Sequence, residues 1–169
     1  MKGNTVLNNG ALTAKNSVEL SAKNLLANAG AIATANANLQ SQGNLNQSSR
    51  IQAQQMEINA DKSLNLAGQL TGDVVSVGGK QFNNQHSEIT ANSLSANLGS
   101  QNINNQLLPD GWSVKKDLWL TTQGSVNLAN TQIALAGDLG INAGQDLRLT
   151  GVGVTTGGSV SLSSGKDLD

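Results

Sequence analysis

Residues 51–79 read IQAQQMEINADKSLNLAGQLTGDVVSVGG, and this stretch decides the fold. It contains two alternating triplets, Met56-x-Ile58-x-Ala60 and Val75-x-Val77-x-Gly79. A spacing of two puts side chains on one face of a strand. The triplets lie 19 residues apart, as do Ile51 and Leu70 ahead of them. Working outward, the phase holds through Val18, Ala37, Met56, Val75 and Leu94, and through Leu20, Leu39, Ile58, Val77 and Ala96. It holds again through Ala22, Ser41, Ala60, Gly79 and Leu98. A fourth column runs Ile32, Ile51, Leu70, Ile89, with Leu12 one residue out of step. Two places later the residues stay small: Ala14, Thr34, Ala53, Gly72, Ala91. A fixed period of this length signals a solenoid, in which each repeat is one coil stacked on the last.

The alternation makes the coils strands, and no stretch sustains a helical period. Between the strands stand Asn, Gly, Ser, Asp and Gln, the residues of turns. Gly10, Gly30, Ser49, Gly68 and Ser87 precede the fourth column in register. A second corner reads Asn24-Leu25, Asn44-Leu45 and Ser63-Leu64, echoed by Asp117-Leu118, Asp146-Leu147 and Asp167-Leu168. Asn, Asp and Gly tolerate the left-handed backbone that a sharp corner needs. One coil alone cannot bury its apolar face. Coils stacked at the strand spacing of about 4.8 Å can, with Leu, Ile and Val forming internal ladders. The expected fold is therefore all-β, a right-handed parallel β-helix. Eight or nine coils would make a rod of roughly 40 Å.

After Leu98 the phase changes. Phe82 comes one place early for the corner column, and Ile103 follows it at 21. Beyond residue 124 a new step of 21 runs Val126–Leu147–Leu168, Leu128–Leu149, Ile133–Val154, Leu139–Val160 and Ile141–Leu162. We expect coils of the shorter period over 1–103, a loop insertion or joint over 104–123, and coils of the longer period over 124–169. The joint holds Asn104–Lys116, including the one proline, Pro109, in a Pro-Asp-Gly turn signal.

Composition narrows the function. Aromatics make up 2% and charged residues 12% of 169 residues, while 22 are asparagine and 19 glycine. Leu, Ile, Val and Phe still supply about a quarter of the chain, and the net charge is −1, which is not the signature of disorder. Ten scattered Lys and Arg, with only Lys115-Lys116 adjacent, give no basic stripe for nucleic acid. No apolar run reaches the length of a membrane span, and no signal peptide stands at Met1. Without cysteine there is no disulfide framework and no thiol or zinc chemistry. The repeat is under way by Gly10 and still running at Asp169, as expected of a piece of a longer chain.

These repeats resemble the haemagglutinin repeats of filamentous haemagglutinin and of contact-dependent growth inhibition exoproteins. The family pattern is G-x-I-x-A, then x-L-x-L-x-A, then x-x-L-x-N. Here it is matched by Gly10-x-Leu12-x-Ala14, Val18-x-Leu20-x-Ala22, then Leu25 and Asn28. It is matched again by Gly30-x-Ile32, Leu39 and Asn44-Leu45-Asn46, and by Leu64-Asn65-Leu66, Gly68-x-Leu70 and Val75-x-Val77. Residues 139–147 (LGINAGQDL) resemble a second repeat type of the same exoproteins. The likeness covers the chain apart from 104–123. It implies a two-partner secretion exoprotein: a β-helical filament exported through an outer-membrane transporter to the surface or surroundings of a Gram-negative cell. The domain that meets the transporter would lie outside these residues.

Candidate sites are few. His86 is the only histidine, so it has no histidine partner for a metal or a triad. Asp138, Asp146, Asp167 and Arg148 are the groups that a polysaccharide-degrading β-helix would use. Such a site needs them gathered on one face, whereas the Asp-Leu pairs recur as corners. Gly78-Gly79 and Gly157-Gly158 lack the G-G-x-G-x-D calcium pattern, and Gly151-Val-Gly153 lacks a following lysine. Thr13, Ala33, Gln52, Thr71 and Thr90 are too broken to form an ice-binding array. Leu107, Leu108, Trp112 and Trp119 are large apolar groups in a chain almost free of them, and they are the candidate partner-binding residues. The plainer expectation is that the loop packs back over a corner.

The resulting expectation is a non-enzymatic rod with no cofactor and no metal. It would hold a binding tip or toxin away from the producing cell. The alternative is a receptor- or glycan-binding module on the same scaffold. Open ends would let isolated fragments associate through Leu7 and Leu12 at one end and Leu162 and Leu168 at the other.

Overall fold

The computed structural model describes residues 1–104 and 111–169, and among these every regular element is a strand. All pairings between the strands are parallel, and the coils stack as a β-solenoid of about eight turns. Leu20, Leu39, Ile58 and Val77 pair rung to rung, and each is no more than 1% exposed. The neighbouring column Val18–Ala37–Met56–Val75–Leu94 pairs in the same way. Ile32, Ile51, Leu70 and Ile89 form the ladder of the adjoining side, and Leu12 joins it by pairing with Ile32. The core thus runs unbroken along the axis from Val6 to Leu147.

The strands bend round corners without losing their partners. Ile51–Leu66 pairs with both Ile32–Ser41 and Asn44–Gln47 of the preceding coil. In the C-terminal third the sides separate into three short ladders. One joins Trp112–Thr122, Leu139–Ala143 and Val160–Ser164. The second joins Ile103–Asn104, Val126–Ala129 and Leu147–Thr150, and the third joins Gln132–Leu135 to Gly153–Thr156. From Leu118 onward every rung keeps the longer period, the same step that separates Val126 from Leu147.

One expected alignment is shifted. Leu45 pairs with Leu26, not Leu25; Leu25 faces Asn44 from the outer side of the strand. The corner is an alternation of side chains, and Asn24 precedes an outward residue before the inward one.

At the next inward position the ladder is polar. Asn8 Nδ2 donates to Asn28 Oδ1 at 2.6 Å, Asn28 Nδ2 to Gln47 Oε1 at 2.7 Å, and Gln47 Nε2 to the Ser49 carbonyl at 2.8 Å. All three amides are buried, and the fully buried Leu66 takes the next rung. Buried amides hold only while each has a partner. Asn28→Ala should therefore cost about 1–3 kcal/mol, since it orphans Asn8 and Gln47 together. Replacing all three amides by Leu should cost far less. Thermal melts followed by circular dichroism compare the two. Outside the same corner a second amide ladder links Asn46, Asn65, Asn83 and Gln101.

The change of period enters at the joint. Trp112 pairs with Ile89 and Leu118 with Leu94, wider steps than those of the coils on either side. The register slips by one between Val114 and Asp117, a bulge at Lys115-Lys116. The joint is narrower than the expected 104–123, because Trp112–Thr122 is a strand within the stack. Leu118 and Leu120 face its core.

The terminal rungs are uncovered. Val154, Val160 and Leu168 are 38%, 48% and 58% exposed, whereas their partners Ile133, Leu139 and Leu147 are buried. At the other end Leu12 and Val18 are half-buried. Leu7, expected there as an end rung, alternates between inward-facing Val6 and Asn8 and points away from the core.

Candidate functional site

The carboxylates of the C-terminal coils staple corners. Asp117 Oδ1 accepts the Asp138 N–H at 2.9 Å, and Asp138 Oδ1 accepts the Ser159 N–H at 2.7 Å. Each carboxylate therefore holds the backbone one coil further on. Asp146 exchanges longer bonds with Ser125. Asp167 gives its carbonyl to the Leu147 N–H at 2.8 Å, and Arg148 makes an exposed pair with Asp169 at 3.4 Å. Asp146 and Asp167 thus stack on adjacent rungs of one corner, with Arg148 two residues beyond Asp146, while Asp138 stands at a different corner beside Asp117 and Ser159. Among the described residues no three His, Asp or Glu side chains converge to hold a metal. His86 occupies an exposed turn with φ 59°.

Asp117 has the strongest electrostatic setting. The Asp138 N–H lowers its pKa below the ordinary 3.8, the Ser93 hydroxyl helps, burial opposes, and the Lys116 ammonium at 3.5 Å adds to the lowering. The folded chain thus binds this proton less readily than the unfolded chain. The stabilisation is complete above about pH 4 and is lost as pH falls through the lowered folded value. Asp117→Asn should melt below the parent at neutral pH, and the gap should narrow as pH falls below the ordinary carboxylate range. Melting curves across that range check it.

The two described candidate tryptophans are not brought together. Trp112 lies edge-on to buried Phe82, with ring centroids 6.2 Å apart at 90°. Its Nε1–H donates to Ser87 Oγ at 3.2 Å, and Ser87 in turn bonds Asn84 Oδ1 through its backbone N–H and its hydroxyl. The half-buried Trp112 therefore covers the Phe82 corner. Trp119 is 44% exposed on the outer face, and its ring fills the space that a Cβ on Gly140 would take. Leu107 and Leu108 lie outside the described residues.

A concavity that the sequence reading missed runs along the axis on one side. Its volume is about 370 Å³. The floor is the small column Ala53, Gly72, Ala91, reached from Thr34 at one end. Gln52, Thr71 and Thr90 form one wall; Gln54, Asp73 and Asn92 form the other, and Lys115 stands at the far end. The signal was present in the sequence as a small residue flanked on both sides by polar ones, repeated every 19.

Comparison of the chain with protein-family models, with curated proteins and with solved structures gives no match.

Proposed function

We propose that this chain is a non-catalytic segment of a secreted bacterial filament, of the adhesin or contact-dependent growth inhibition type. Its work is mechanical: stacked coils form a stiff spacer that carries a tip or toxin away from the producing cell. The observation that supports this reading is the unbroken internal ladder, in which each coil is fixed only to its neighbours and the length is set by their number. The corner carboxylates support it as well, since they bind backbone of the next coil. Export would run through an outer-membrane two-partner secretion transporter, recognised by a domain outside these residues.

The test is export. The chain is fused behind a two-partner secretion domain in a Gram-negative host that carries the matching transporter. It should reach the outer surface and resist added protease there as a folded rod. Removing residues 51–69, one full coil, should leave export and folding intact, because Leu70 takes the place of Ile51. Retention and degradation in the periplasm would overturn the reading.

A further inference from the structure

We infer that Asn9 is a site of spontaneous covalent modification, converted in the folded rod to aspartate and isoaspartate through a cyclic imide closed by the Gly10 amide. This is independent of the spacer reading. Of the 22 asparagines, Asn9 alone is followed by glycine. Glycine puts no side chain in the path of the attack and leaves the backbone free to turn into it.

The folded corner leaves the step open. Residues 9–11 lie between the strands Lys2–Asn8 and Leu12–Thr13, and all three are exposed. Among the described residues the Asn9 side chain has no hydrogen-bond partner. A Cβ built on Gly10 would meet nothing within 4 Å. The Gly10 N–H, on the nitrogen that must attack, donates to Asn8 Oδ1 in a long bond of 3.3 Å. One coil further on, the Ala29 and Gly30 N–H groups donate to the Asn8 carbonyl at 2.9 Å. Other asparagines are held more firmly. Asn28 is buried and bonded on both sides. Asn92 lies within the strand Glu88–Asn97, and its Nδ2 donates to Asp73 at 3.1 Å. The carbonyl of Asn16 accepts the Asn36 N–H at 2.9 Å and its Nδ2–H at 3.0 Å.

The chemistry needs only water. Hydroxide removes the Gly10 amide proton, and the nitrogen attacks Asn9 Cγ. The N–Cγ bond forms, the Cγ–Nδ2 bond breaks, and ammonia leaves. Water then adds to either carbonyl of the imide. Opening at Cγ gives aspartate, and opening at the main-chain carbonyl gives isoaspartate, whose backbone runs through Cβ and Cγ. In sum water replaces ammonia, and one negative charge joins a chain of net charge −1. The isoaspartate lengthens the main chain by a carbon and draws Gly10 away from Asn8. The first coil should loosen and the later coils should not, because each coil contacts only its neighbours.

The test is incubation of the whole chain in warm, mildly alkaline buffer. Ion exchange, tryptic mass mapping and enzymatic methylation of isoaspartate follow the products. The peptide Gly3–Lys15 should exchange an NH₂ for an OH at Asn9, with isoaspartate the larger product. The rate should rise in proportion to hydroxide. Gly10→Ala should melt like the parent and convert roughly tenfold more slowly, since a Cβ crowds the attack and narrows the backbone. Asn9→Gln should leave the peptide unchanged. Three results would overturn the inference. The first is conversion of Asn16 or Asn92 ahead of Asn9, and the second is conversion of Gly10→Ala at the parent rate. The third is reaction of Asn9 in the urea-unfolded chain with none in the folded rod.

Discussion

Aspartate at position 58 should abolish the cooperative unfolding transition of the coils around it. Ile58 is fully buried between Leu39 and Val77 in the central ladder. The substitution removes a side chain whose burial is worth about 1.5–3 kcal/mol. It also leaves an unpaired carboxylate inside, at a further cost of several kcal/mol. Together these approach the whole stability of an ordinary domain, about 5–15 kcal/mol. In a solenoid the damage is first local, because each coil contacts only its neighbours. Limited proteolysis of Ile58→Asp should therefore cut within Ile51–Leu66 before it reaches the flanking coils. Ile58→Val keeps the ladder and should cost only about 0.5–1.5 kcal/mol. An aspartate variant that melts as sharply as the parent would mean that this column faces water.

That ladder was legible because burial leaves a mark on sequence. Positions such as Leu20, Leu39, Ile58 and Val77 accept little but aliphatic side chains, so their period survives in the residues themselves. Corners constrain less. Leu25 and Leu26 are adjacent and equally apolar, and only the pairing of Leu26 with Leu45 shows which one turns inward. The joint was harder for the same reason. An insertion breaks the period, and the return to register at Trp112 depends on which residues bulge, here Lys115-Lys116. Trp112 and Trp119 read as candidate partner-binding groups, with packing over a corner the plainer expectation, because a large apolar group in a turn-rich segment carries no sign of its direction. One packs on Phe82 and the other lies over Gly140. The groove went unread because its floor is defined by what is small. Ala53, Gly72 and Ala91 register in a sequence as weak core, and only the placement of the flanking polar side chains makes them the bottom of a cleft. The amide ladder of Asn8, Asn28 and Gln47 was equally hidden, since Asn and Gln are read as surface until their partners are seen.

Valine at position 99 should be nearly as damaging as aspartate at 58, through the backbone and not the core. Gly99 has φ 58°, where a β-branched residue is strained. A Cβ there would lie well inside van der Waals contact of the Lys80 and Gly79 carbonyl oxygens. Both oxygens belong to the backbone of the coil beneath, so no side chain can turn aside to make room. The strain alone costs about 1–3 kcal/mol. Relieving the overlap would part the two coils and uncover Leu98 and Phe82, both fully buried. It would also loosen the carbonyl of Gly99, which accepts the Gln123 N–H and the Thr122 hydroxyl at the end of the strand Trp112–Thr122. Gly10 is the control. Nothing lies within 4 Å of a Cβ built on it, and its φ is not in the left-handed region. Gly10→Ala should match the parent or gain about 0.4–1 kcal/mol by narrowing the unfolded ensemble. Scanning calorimetry of the two variants side by side separates the effects. Equal melting temperatures would mean that the coils are not in contact at Gly99, and that the closely stacked corner does not exist in solution.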